Sequence, residues 1–272
     1  MAGEVASCTP ADAALSSLVD DVTALSRDAP LDARVPGLEW NVGDVLAHLA
    51  VQVERFRDFV TGDRSPDDDV AVVPDGPVPV VVAEVNRRLI ASVDHRDAAV
   101  LNDRLRAAVA DYLSVTATVP RSTPFRSWEC GTDVGGATAI LVAEMLVHGL
   151  DLARGLGTAW RIVPSHASLA LPTVWALLPA YLDPVATRHV RASLAFAPRG
   201  MPGVRVSVDG GVAEVVPDVG PVDCRIHARP DDLLLLSFGR VALGGLVKRG
   251  RLWVSGRRPW MGLPAPSWFL PP

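Results

Sequence analysis

Glu144 and His148 stand four residues apart in an otherwise apolar run, Ala137-Thr-Ala-Ile-Leu-Val-Ala-Glu144-Met-Leu-Val-His148-Gly-Leu-Asp151. Four residues is about one helical turn, so both side chains leave one face and can converge on a point. Burying a carboxylate and an imidazole unpaired is costly, and a bound divalent metal satisfies both. A second segment, Trp40-Asn41-Val-Gly-Asp44-Val-Leu-Ala-His48-Leu-Ala, offers a third ligand in His48. Three protein ligands leave one coordination position open, which is the arrangement of catalytic sites. The same residues also have plainer uses: His48 as a satisfied core histidine, and Glu144 hydrogen-bonded to His148 across the turn. Asp151, three residues past His148, is placed to orient that imidazole through its other ring nitrogen, or to be a solvated helix residue.

These side chains need helices to hold them. Asn41 and Asp44 form a box-like start for a helix over about Asn41–Val60, with His48 on or beside its apolar stripe of Val45, Leu46, Leu49 and Val53. The helix bearing Glu144 is predicted from Thr132 or Asp133 to Gly155 or Gly157. Helical periodicity marks Pro10–Ser26, Val80–Val93, Asp97–Thr118 and Ser165–Leu182 as further helices. Gly62–Pro79, acidic and proline-rich, reads as a loop and a candidate lid, and Pro120–Gly131, containing Trp128, as another loop. Beyond Pro184 the period changes to two. His189–Phe196, Val204–Val208, Val212–Val216, Asp223–Ala228 and Leu252–Ser255 read as strands, with Asp209-Gly210-Gly211 a hairpin turn and Pro230–Gly239 a helix. The expected class is α+β in two domains, a helical bundle over 1–184 and a small α+β domain over 185–272.

Composition narrows the function. The chain has 272 residues, 49% hydrophobic and 21% charged, as in globular proteins. Its 26 basic residues against 31 acidic ones argue against a dedicated nucleic-acid binder. No basic start followed by an apolar stretch opens the chain. The most apolar helix candidate, Ala167–Leu182, is interrupted by Pro172 and Pro179 and is too short to span a bilayer, so a cytoplasmic protein without membrane partners is expected. Cys8, Cys130 and Cys224 lack metal or redox spacing, fit a reducing compartment, and Cys130 reads as structural or incidental. Lys248 is the sole lysine among many arginines. After Asp232 no acidic residue follows, while Arg240, Lys248, Arg249, Arg251, Arg257 and Arg258 do. This basic end is a solvated face, or it supplies an arginine, Arg240 first, to a carboxylate of a substrate or cosubstrate.

Trp40 to Ala50 and Glu144 to Asp151 resemble the two signatures of the mycothiol-dependent maleylpyruvate isomerase family, a branch of the DinB-like metal-binding four-helix bundles. Pro230-Asp-Asp-Leu-Leu-Leu-Leu-Ser-Phe-Gly-Arg240 and Arg251-Leu-Trp-Val-Ser-Gly256 are similar to that family's sterol-carrier-like second domain. The resemblance implies that His48, Glu144 and His148 bind a divalent metal, usually Zn2+, and that mycothiol, a thiol used mainly by actinobacteria, is the cosubstrate. It also implies an active arginine in the second domain, for which Arg240 is the candidate. A thiol deprotonated on such a metal would attack an electrophilic small molecule, giving isomerisation or S-transfer. Two other classes remain open: a non-catalytic protein holding an apolar ligand in the second domain, and a metal-dependent hydrolase.

Overall fold

Polar caps set where the long helices begin. In the computed structural model, which describes residues 8–71, 73, 76–94, 97–126 and 131–270, α1 (Pro10–Leu25) opens at Thr9. The Thr9 hydroxyl accepts from the Asp12 amide at 3.2 Å, and the Asp12 carboxylate accepts from the Thr9 amide at 2.8 Å. Helix α2 (Val42–Thr61) opens on the reciprocal Asn41–Asp44 pair at 2.8 and 3.1 Å, as the sequence predicts. It closes at Gly62, whose φ of 80° suits a residue without a Cβ. Asp97 caps α5 (Ala98–Thr116), and Asp133 caps α6 (Val134–Gly155) through the Gly136 amide.

Helices α1, α2, α5 and α6 close into a ring: α1 packs on α5 and α6, and α2 packs on α5 and α6. This is a four-helix bundle, with Leu15, Val22, Leu46, Leu49, Leu101, Leu105, Leu141 and Met145 in its core. Helix α6 is buried on nearly every side. Among the described residues it is the helix long and apolar enough to cross a membrane, yet 83% of its most apolar stretch is buried inside the fold, so it reads as the bundle's core helix. Two shorter helices, α3 (Pro66–Val70) and α4 (Val78–Ala91), follow α2.

The expected loop over Gly62–Pro79 thus contains α3, capped by Ser65 and pinned by Asp69 to Arg55 and Arg64. The expected loop over Pro120–Gly131 contains two short paired strands, β1 (Pro124–Arg126) and β2 (Gly131–Asp133). Trp128 and Cys130 lie outside the described residues.

A second compact unit is built on a five-stranded sheet ordered β5-β4-β3-β6-β7, from β3 (Arg191–Pro198), β4 (Val204–Asp209), β5 (Val212–Pro217), β6 (Cys224–Ala228) and β7 (Leu252–Ser255). Strands β3 and β6 pair in parallel, the other neighbours antiparallel. Asp209 pairs with Val212 across Gly210 and Gly211, both at positive φ, which is the two-residue hairpin turn read from the sequence. Helix α7 (Pro164–Tyr181) packs on α8 (Pro230–Ser237) and β5, and Trp175 of α7 stacks on Phe196 of β3 at 5.8 Å. A short helix, α9 (Leu243–Lys248), precedes β7.

Contacts divide the chain into Met1–Gly76 with Val80–Ile162, and Pro77–Pro79 with Val163–Pro272. The division falls after Ile162 and not at 184/185, because α7 buries its apolar face against the sheet unit. Periodicity shows that a helix has a face to bury, not what buries it. Helix α7 also continues through Pro172 and Pro179, where packing of Leu171, Val174 and Trp175 offsets the missing amide donors.

Candidate metal centre

The capping pair at Asn41 and Asp44 sets the phase of α2 so that His48 turns inward, where it is 3% exposed. Facing it, α6 presents Glu144 and His148 one turn apart. The Glu144 Oε2 atom lies 3.1 Å from His48 Nε2 and 3.3 Å from His148 Nε2. Donor atoms of the three residues all fall within 4.8 Å of one another, a group able to hold a metal ion. The two imidazoles meet edge to face at 4.9 Å. On the far side of His148, Nδ1 lies 3.0 Å from Asp151 Oδ2, and Asp151 is fully buried.

The three side chains and Asp151 are electrostatically coupled. His148 sits between two carboxylates. Burial alone would lower its pKa, but the hydrogen bonds to Asp151 and Glu144 outweigh burial and raise it to about 9. Burial likewise opposes ionisation of Glu144, yet hydrogen bonds from His148 and His48 hold its carboxyl below the ordinary range. His48 is pushed down, chiefly by burial, although its hydrogen bond to Glu144 opposes that. The two flanking carboxylates thus favour a positive charge at His148. The same charge would favour a divalent cation at Nε2 while Asp151 keeps Nδ1, which is the usual support of a metal-bound histidine. Two imidazole nitrogens and one carboxylate oxygen, without sulfur, suit a borderline divalent ion.

Residues 11–153 match the family described as the mycothiol maleylpyruvate isomerase N-terminal domain. The chain belongs to this family. The matched segment contains His48, Glu144, His148 and Asp151. A crystal structure of the mycothiol-dependent maleylpyruvate isomerase is similar with a TM-score of 0.51 at 14% identity, covering 91% of this chain and 93% of that chain. The structure of a histidine-to-alanine mutant of that isomerase gives 0.54 at the same identity and coverage. At this identity the likeness bears on the two-part α+β fold. A search of curated proteins found no match.

Two features of the centre escape a reading by spacing. Trp40 lies against both imidazoles, 4.9 Å from His48 and 5.8 Å from His148 between ring centroids. Its place just before the helix cap was the available signal. Gly149, next to His148, leaves room for Trp160: a Cβ there would fall 2.3 Å from Trp160 Cζ2. Trp160 Nε1 in turn donates to the Leu146 carbonyl at 3.1 Å.

Arg240 lies in the second unit, just after α8, where its Nη1 donates to the Phe238 carbonyl at 2.8 Å. Of the other basic residues beyond Asp232, Arg251 is paired with Asp231 and Asp232, and Arg257 and Arg258 with Asp223. The basic end of the sequence is thus partly neutralised by acidic residues that precede it.

Proposed function

We propose that the protein is a metal-dependent, mycothiol-dependent enzyme of the S-transferase or maleylpyruvate-isomerase type, acting on an electrophilic small molecule. The observation that carries this reading is the convergence of His48, Glu144 and His148 from two helices of a chain in the mycothiol maleylpyruvate isomerase family. The proposed ion is zinc, held by the two Nε2 atoms and the Glu144 carboxylate. When bound, such an ion favours the thiolate form of a thiol at neutral pH.

The remaining work falls to the chain's own side chains. Asp151 holds the His148 ring in place through Nδ1. Trp40 packs against both imidazoles. Arg240 is proposed to hold an anionic end of the thiol or the electrophile, where a guanidinium provides a planar pair of donors.

The test is elemental analysis of the purified protein beside His48→Ala and Glu144→Ala, followed by a mycothiol-consumption assay with candidate electrophiles. About one equivalent of metal in the parent, lost in both variants, with thiol consumed only by the parent, supports the reading. No metal in the parent after reconstitution would overturn it.

One observation favours a second reading, a protein that binds an apolar ligand. The sheet unit contains a cavity of about 370 Å³ lined by Leu178, Phe196, Ile226, Leu236, Val241 and Phe269, among others. Its size and lining are those of a small-molecule site. Saturable binding of an apolar fluorophore by a protein that consumes no thiol would put this reading first.

A further inference from the structure

The apolar core of the sheet unit does not close on itself. Phe196 of β3 and Ile226 of β6 are register partners on one face of the sheet, and both line the cavity of about 370 Å³. Leu178 of α7, Leu236 of α8, and residues from 239–243 and 265–270 complete its wall. Leu178, Phe196, Leu236, Val241, Phe269 and Leu270 are only half-buried, where a closed core would cover them. Such side chains forfeit dispersion contacts on the side that faces the cavity.

The chain itself fixes these walls. Phe269 bridges to Leu182, the Asp183 amide donates to the Trp268 carbonyl at 2.8 Å, and the Leu270 amide donates to the Tyr181 carbonyl at 2.8 Å. Trp175, fully buried one turn before Leu178, stacks on Phe196. A site with walls already ordered loses little conformational entropy on filling.

The lining also limits what fits. Among the described lining residues none is charged, and Ser237 alone has a polar side chain. A charged ligand group would be desolvated there without a counter-ion. A cavity of about 370 Å³ is roughly two and a half times the ~150 Å³ that holds one benzene, so it has room for about a dozen carbon atoms. A sterol or a long acyl chain exceeds that.

We propose that this cavity binds a neutral apolar molecule of about a dozen carbons bearing one hydrogen-bonding group, which meets the Ser237 hydroxyl. The inference rests on the apolar-ligand reading of the cavity given above and names its ligand class. It is independent of the thiol chemistry, because every lining residue belongs to the sheet unit.

The experiment titrates naphthol and naphthalene, which differ by one hydroxyl, into the parent, Ser237→Ala and Leu178→Trp, with melting temperatures measured on all three. Dodecanoate and cholesterol are titrated into the parent as probes of charge and size. The parent should bind naphthol saturably, and Ser237→Ala should bind it about tenfold more weakly with naphthalene affinity unchanged, the size of one lost hydrogen bond. Leu178→Trp, whose indole fills the cavity, should lose both ligands at an equal or higher melting temperature. Val241→Phe repeats that test should Leu178→Trp not fold. Naphthol affinity unchanged in a folded filled variant, or in Ser237→Ala, overturns the inference. A parent that takes dodecanoate or cholesterol in place of naphthol overturns the ligand class and leaves the apolar-ligand reading standing. A parent that binds none of the four probes overturns both.

Discussion

The His148 Nδ1 atom lies 3.0 Å from an Asp151 carboxylate that is fully buried three residues along the same helix. The aspartate fixes both the ring's orientation and the nitrogen that faces Glu144. Asp151→Asn should therefore weaken divalent-metal affinity by roughly 10–100-fold while leaving helix content unchanged. Competition against a chelator of known affinity measures this, and an unaltered affinity would show that the carboxylate does not position the ring.

Gly149→Ala tests how tightly Trp160 is held. The substitution favours the helix by about 1 kcal/mol, but the new methyl would stand 2.3 Å from the Trp160 ring, and overpacking costs about 1–3 kcal/mol. A net loss of up to about 2 kcal/mol in denaturant unfolding is expected on that balance. A midpoint above the parent's would mean that Trp160 moves aside freely.

Much of the centre was legible because it is local. The i, i+4 spacing of Glu144 and His148, the i, i+3 spacing of Asp151 and the Asn41–Asp44 cap each report on a single helix. The meeting of α2 with α6 is not local, and only the chemistry of the three side chains hinted at it. Trp40 escaped because its contacts are with rings brought there by the fold. Strands β1 and β2 have three residues each, too few to show a period, and Phe125 is the one fully buried side chain of β1. Helix α7 was visible, but its partner was not. The pairing of Arg251, Arg257 and Arg258 was hidden because their carboxylates lie on β6 and α8 or beside them, 19 to 35 residues earlier.

Asp223 links acid stability to the sheet unit. It accepts from the Ser193 amide at 2.9 Å and from Arg258 Nη2 at 2.8 Å. The Arg258 hydrogen bond is the main cause holding its carboxyl at about 2, against the opposing effect of burial. A depressed carboxyl stabilises the fold above its unfolded value near 4 and stops doing so as pH falls through its folded value. Urea midpoints of the parent should thus fall between about pH 4 and pH 2, and Asp223→Asn should lose that part of the slope. Identical pH profiles for the two proteins would exclude the linkage.

Arg240→Ala addresses the proposed anion contact. Loss of a charged hydrogen bond to a ligand corresponds to a fall of about 10–100-fold in activity, with metal content retained. Full activity in the variant would direct attention to another arginine of the second unit.

His48 and Glu144 are 96 residues apart in sequence, so the three-residue centre exists only while α2 and α6 are docked. A cation bound there would therefore act as a long-range cross-link. Its stabilising effect follows the free ion concentration: at 100 times the dissociation constant it contributes about 2.7 kcal/mol to folding. With an ion held there, the bundle's resistance to heat would follow the surrounding supply of metal.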